Sequence, residues 1–157
     1  MRDSEGRHLC CFVSADGYRF TRIGDIPVKG SFDSFNTLFW DKKAKEYRIY
    51  FRSYHRRDGA EIDNIDTTDV VHDVRDVRLA TSPDFKNWTE HGYITFVEGQ
   101  GECSLYTNQI LKYFRDEKTY IGFPVRYTDR AAQKENYRHM PMYGWREEIV
   151  AGFGRSG

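Results

Sequence analysis

Two early stretches, Thr37-Leu38-Phe39-Trp40 and Tyr47 to Tyr54, are rich in aromatic and β-branched residues and are separated by the polar link Asp41 to Glu46. Short runs of these residue types bounded by polar links read as strands, so the pair predicts a β-hairpin. The pattern returns at Asn108 to Phe114, followed by the polar link Arg115 to Lys118 and then Thr119 to Phe123 running on to Arg126 and Tyr127. Arg75 to Thr81 predicts a third strand of the first unit, and Trp88 to Gly92 a fourth. The expected strands are 37–41, 47–54, 75–82 and 88–92, joined in one antiparallel sheet. No long face of period 3.6 occurs, so a helical repeat is excluded.

The units repeat. Val13-Ser14-Ala15-Asp16-Gly17-Tyr18-Arg19-Phe20-Thr21 returns 68 residues later as Thr81-Ser82-Pro83-Asp84-Phe85-Lys86-Asn87-Trp88-Thr89, and a glycine follows each copy three residues on, Gly24 and Gly92. Ser and Asp two apart bond nearby backbone N–H groups, which suits a hairpin corner. Asn36 corresponds to Asn108 at an offset of 72, and Tyr54 to Tyr127 at 73. Four strands in roughly 70 residues is the plan of a propeller blade. The expected fold class is therefore all-β, an incomplete β-propeller of about two four-stranded antiparallel blades. Residues 1–24 read as the end of one blade, 32–92 as a complete blade and 105–157 as the start of the next, so the chain is expected to be a fragment. His55 to Asp73 interrupts the plan as a polar insertion with Glu61, Asp63, Asp66, Asp69 and Asp73. Its spacing matches no EF-hand, and it reads as a solvated acidic loop. In the polar tail from Thr128, only Ile149 to Phe153 predicts a strand.

Composition narrows the partners. Among 157 residues, 24 Lys and Arg balance 24 Asp and Glu, so the basic surface that nucleic acid or anionic lipid demands is missing. Neither nucleic acid nor membrane is expected as a partner. Aromatic residues make up 16%, too much large apolar surface for a disordered chain. No apolar run approaches the roughly 18–20 residues of a membrane span, and the charged stretch Met1 to Arg7 is not expected to be an export signal. Cys10, Cys11 and Cys103 form no CxxC pattern and are expected to be reduced packing residues. His8, His55, His72, His91 and His139 are scattered without metal-ligand spacing. No metal or other cofactor is expected.

Propeller sites lie where the inner strands of successive blades converge. In the two units that position falls at Ser31 to Asn36 and at Gly101 to Asn108, and each delivers one carboxylate, Asp33 and Glu102. Paired carboxyl groups across a sugar ring are what glycosidic cleavage requires, one protonating the leaving oxygen while the other attacks, activates water or stabilises positive charge. Spacing alone leaves Asp33 equally readable as a turn residue and Glu102 as a loop charge. Arg52 and Arg126 end equivalent second strands and are candidates for sugar hydroxyls or a carboxylate substituent. With Asn36 and Asn108 they form the expected substrate-binding set.

Arg78-Leu79-Ala80-Thr81-Ser82-Pro83-Asp84-Phe85-Lys86-Asn87-Trp88 resembles the outer-strand corner of five-bladed glycoside hydrolases that act on fructans and on arabinan or xylan. Leu38-Phe39-Trp40-Asp41 with Tyr47 to Arg52 resembles their inner hairpin, and Glu102-Cys103-Ser104-Leu105-Tyr106 is similar to their Glu-Cys element. The resemblance spans roughly residues 10–127. It implies a five-bladed parent, a carbohydrate partner, Glu102 as general acid/base and Asp33 as transition-state stabiliser. Where that family carries Arg-Asp-Pro this chain has Phe32-Asp33-Ser34, and it contains no Asn-Asp-Pro element, the family's nucleophile site. The chain alone is therefore expected to be inactive, and unpaired blade edges are expected to favour self-association. Two other readings stay open: a sialidase-like propeller with Asp-box corners, and a non-catalytic propeller that binds sugar or protein.

Overall fold

The structure, a computed structural model, describes residues 8–56, 58–62, 73–96, 104–129, 145–149 and 152–155. The chain is all-β: every regular element among these residues is a strand, and among them no helix is long and apolar enough to cross a membrane. β1 (Leu9–Val13) and β2 (Thr21–Ile26) form a hairpin. β3 (Thr37–Asp41), β4 (Glu46–His55), β5 (Val74–Ser82) and β6 (Thr89–Tyr93) form one antiparallel sheet in chain order. The strands expected at 37–41, 47–54, 75–82 and 88–92 are thus present to within a residue or so at each end, and β3 pairs with β4 from Thr37↔Tyr50 to Asp41↔Glu46.

The Ser-x-Asp copies build their corners as their chemistry dictates. Asp16 Oδ1 accepts from the Tyr18 and Arg19 amides, both at 2.8 Å, and Asp84 Oδ1 accepts from the Lys86 and Asn87 amides at 2.9 and 2.8 Å. The turn needs a left-handed residue, supplied by Gly17 (φ 74°) in the first copy and by Phe85 (φ 64°) in the second. A side chain there costs about 1–2 kcal/mol. Phe85 offsets it by packing edge-on against Tyr47 and Trp88, at centroid distances of 4.9 and 5.5 Å. Both hairpins also bulge at the same place. Register slips between Cys11 and Phe12 opposite Gly24, and between Leu79 and Ala80 opposite Gly92. Gly24 (φ 145°) and Gly92 (φ 83°) take the backbone angles that such a bulge requires.

The four-stranded sheet carries a core on each face, because neighbours along β4 point in opposite directions. Ile49, Phe51 and Ala80 pack against Ile26 and Val28, which follow the first hairpin. On the other face Tyr50 and Val77 pack against Leu105, Ile110 and Tyr120, with Ile94 and Phe96 partly buried beside them. Ile94 and Phe96 stand 68 positions after Ile26 and Val28. The segment leaving each corner hairpin therefore packs against the next sheet in the same way.

After this sheet the remaining described strands fall into two sheets. β7 (Leu105–Thr107), β10 (Val125–Asp129) and β11 (Trp145–Ile149) form one three-stranded sheet, while β8 (Leu111–Lys112), β9 (Thr119–Gly122) and β12 (Gly152–Arg155) form another. Continuous strands expected over 108–114 and 119–127 are corrected here. Asn108 leaves the ladder because its side chain is committed to the neighbouring sheet, and Pro124 supplies no N–H donor between β9 and β10. Of the strand expected over 149–153, Ile149 ends β11 and residues 152 and 153 begin β12, while residues 150 and 151 lie outside the described residues. A buried polar contact ties β3 to β8 and β9: Asp41, fully buried, accepts from Lys112 Nζ at 2.9 Å and from the Tyr120 hydroxyl. Burial alone would raise the Asp41 carboxyl, yet these two bonds and the Ala44 amide hold it well below the ordinary carboxylate range.

Candidate functional site

Where β4 ends and β5 begins, charged and aromatic side chains gather between the four-stranded sheet and the β7-β10 pair. The loop before β3 bends back onto β4: the Ser31 and Phe32 amides both donate to Arg52 O, at 3.0 and 3.2 Å, with Phe32 in a left-handed conformation (φ 52°). That bend presents Asp33 beside the even-numbered face of β4. Asp33 Oδ2 accepts from the Tyr54 hydroxyl at 3.0 Å, and Oδ1 lies 3.8 Å from Arg52 Nε. The carboxylate side chain keeps 25% of its surface open to solvent, whereas Arg52 keeps 2%.

Arg52 is held from several sides. It donates through Nη1 to Leu105 O at 3.1 Å and to Tyr106 O, and its guanidinium lies 5.0 and 5.1 Å from the ring centres of Tyr54 and Tyr106. Burial pushes this guanidinium below its usual value while Tyr54 and Asp33 act in the other direction. Arg75 sits opposite Tyr54 in the β4–β5 register and stacks on Tyr127 at 3.7 Å. Its amide donates to Ser104 Oγ at 3.2 Å. Tyr106 and Tyr127 lie nearly parallel at 6.3 Å. The result is a partly open carboxylate beside buried Arg52 and Tyr54, which are joined through ring contacts to Tyr106, Arg75 and Tyr127.

Of the candidate residues, Asp33 and Arg52 are thus brought together. Glu102 lies outside the described residues. Asn36 is half-buried, donates to Ser34 O at 2.9 Å and accepts from the Arg52 amide at 3.1 Å. Asn108 is 1% exposed, and its side chain is used within the protein, donating to Phe35 O at 2.8 Å and accepting from Thr37 Oγ1 at 2.8 Å. Arg126 is exposed on β10 and is absent from the contacts around Asp33. Sequence reasoning passed over Tyr54, Arg75, Tyr106 and Tyr127 as site residues. Once β4 and β5 are paired antiparallel, the facing of Tyr54 and Arg75 is the signal that finds them.

The opposite face of the same sheet end holds a second polar group. His55 Nε2 lies 3.2 Å from Asp76 Oδ2, and the Val77 amide donates to Asp76 Oδ1 at 2.7 Å. Burial pushes the Asp76 carboxyl up to about 6 despite these partners. Elsewhere an apolar groove of about 490 Å³ opens between Phe35, Leu111, Phe114 and Phe123. The acidic insertion lies largely outside the described residues, with Glu61 bridging back to His55.

Cys10 is exposed, not a packing residue as expected, because strand alternation turns it away from the core that Leu9 joins. Its thiol approaches His8 and Asp25, a grouping that spacing along one strand does not reveal. No family model, curated protein or solved structure matches this chain.

Proposed function

We propose that the sheets are successive blades of a propeller of the glycoside-hydrolase type that the sequence resembles, and that the sheet end around Asp33 engages oligosaccharides. The repeated packing supports the first half: Ile26 and Val28 meet one sheet as Ile94 and Phe96 meet the next, as stacking blades require. The second half rests on one observation, the partly open Asp33 carboxylate between Arg52 and Tyr54. Vicinal sugar hydroxyls donate to a carboxylate, and of the tyrosines nearby Tyr106 is half-buried whereas Tyr54 and Tyr127 are buried under the arginines. The same carboxylate suits the positive charge that develops on a sugar ring during glycosidic cleavage.

A nucleophile is a separate matter. These 157 residues contain no Asn-Asp-Pro element, so this chain is expected to bind without turnover. Titration calorimetry with fructan, arabinan and xylan oligosaccharides, run beside a reducing-sugar assay, tests both points. One sugar class should bind, and Asp33→Ala should weaken it at least tenfold, about 1.4 kcal/mol. Binding by none of the three, or binding indifferent to Asp33→Ala, would overturn the reading.

A further inference from the structure

The first hairpin carries a set of metal-ligating side chains that the carbohydrate reading does not use. Its inward face is Leu9 with its partner Ile26, packed on or within the core. Its outward face holds His8 and Cys10, two positions apart on one strand, and Asp25 directly across from Cys10 on the other. The donor atoms of these three side chains all lie within 4.8 Å of one another, and His8 Nε2 is 4.0 Å from Asp25 Oδ2. All three residues are exposed, and Cys10 is a free thiol. The bulge at Gly24 brings Arg22 to the same face, where its Nη2 lies 2.6 and 2.8 Å from the two Asp25 oxygens. That contact fixes the orientation of the carboxylate.

We propose that His8, Cys10 and Asp25 form a binding site for a single Zn2+ ion. Imidazole nitrogen, thiolate sulfur and carboxylate oxygen are the ligand types that zinc takes, whereas magnesium and calcium require oxygen alone. Thiolate and carboxylate together neutralise the ion. Ligand atoms on tetrahedral zinc stand about 3.3–3.8 Å apart at bond lengths of about 2.0–2.3 Å. Closing from 4.8 Å requires rotamer adjustments of exposed side chains and no backbone change. Three protein ligands leave the fourth position to water. Cys10 would bind as the thiolate, its proton passing to solvent. Arg22 is the competitor, since it must yield one carboxylate oxygen to the metal.

Cobalt(II) is the probe, because a bound thiolate gives a near-ultraviolet charge-transfer band that zinc(II) then displaces. The full chain should bind one equivalent with this band. Cys10→Ser should abolish it, while Cys11→Ser and Cys103→Ser should leave it in place. His8→Ala and Asp25→Asn should each weaken zinc binding at least about tenfold, and Arg22→Gln should tighten it. Since all four positions are exposed, far-ultraviolet circular dichroism should be the same in every variant. A charge-transfer band that survives Cys10→Ser, its absence from the wild type, or affinity unchanged in both His8→Ala and Asp25→Asn would overturn the site. None of these readouts depends on carbohydrate binding.

Discussion

Replacing Asn108 with aspartate exchanges one NH2 for one oxygen at nearly constant volume, in a side chain that is 1% exposed. In the native protein Nδ2 donates to Phe35 O at 2.8 Å and to Tyr50 O at 3.4 Å, while Oδ1 accepts from Thr37 Oγ1 at 2.8 Å. The carboxylate keeps the bond from Thr37 but turns an acceptor toward two carbonyl oxygens. Losing two hydrogen bonds and leaving carbonyls unpaired costs about 2 kcal/mol. Ionisation in this site adds more: a folded pKa raised by roughly two units costs about 3 kcal/mol at neutral pH. The total, about 5 kcal/mol, rivals the whole stability of many domains. Its sign with pH follows. A carboxyl raised in the folded state binds its proton more tightly there than in the unfolded chain, so the penalty is smallest below about pH 4 and grows as pH rises through the folded pKa. Urea unfolding followed by tryptophan fluorescence at pH 4.5 and pH 7.5 measures both parts. Asn108→Ala, which lacks the charge, should lose about 2–4 kcal/mol at either pH. If Asn108→Asp stays within about 1 kcal/mol of wild type at pH 7.5, the inter-sheet role assigned to this residue is wrong.

Two further perturbations test the packing on either side. Asp76, raised to about 6 by burial, contributes stability that is present below about pH 4 and lost as pH climbs to about 6, worth roughly 3 kcal/mol. Asp76→Asn should therefore gain on the wild type by about 2–3 kcal/mol between pH 4 and pH 7, and parallel stability curves would refute this. Lys112→Met removes from the fully buried Asp41 the nearer of its two cations, leaving Arg48 Nε at 3.5 Å, and should cost about 2 kcal/mol in urea unfolding. Adding Asp41→Asn should recover most of that. A single-variant loss below about 1 kcal/mol would show that the pair does not tie the sheets together.

What could be read from the sequence was what short-range chemistry decides. Ser14, Asp16, Ser82 and Asp84 bond amides two or three residues away, so the corners are written locally, and with them the 68-residue repeat. The strands from 37 to 93 followed because their aromatic and β-branched runs are bounded by short polar links, although β4 and β5 are buried along most of their length rather than on alternate residues. What could not be read depends on a neighbouring sheet. Asn36 and Asn108 are equivalent in the repeat, yet only Asn108 is fully buried, because its side chain reaches back to Thr37 and Phe35. Arg75 escaped notice beside Arg52 because its partner Tyr127 lies 52 positions on. The grouping of His8, Cys10 and Asp25 emerges only when two strands are paired in register.

Hydrogen exchange with and without a saturating oligosaccharide of the class that binds is the most direct measurement of the claim that the sheet end around Asp33 engages sugar. Amides of residues 31–36 and of the β4 end near Tyr54 should exchange more slowly in the complex, and Asp33→Ala should erase the difference. Protection confined to the groove between Phe35 and Phe123 or to the first hairpin, with residues 31–36 and 52–55 unchanged, would contradict it.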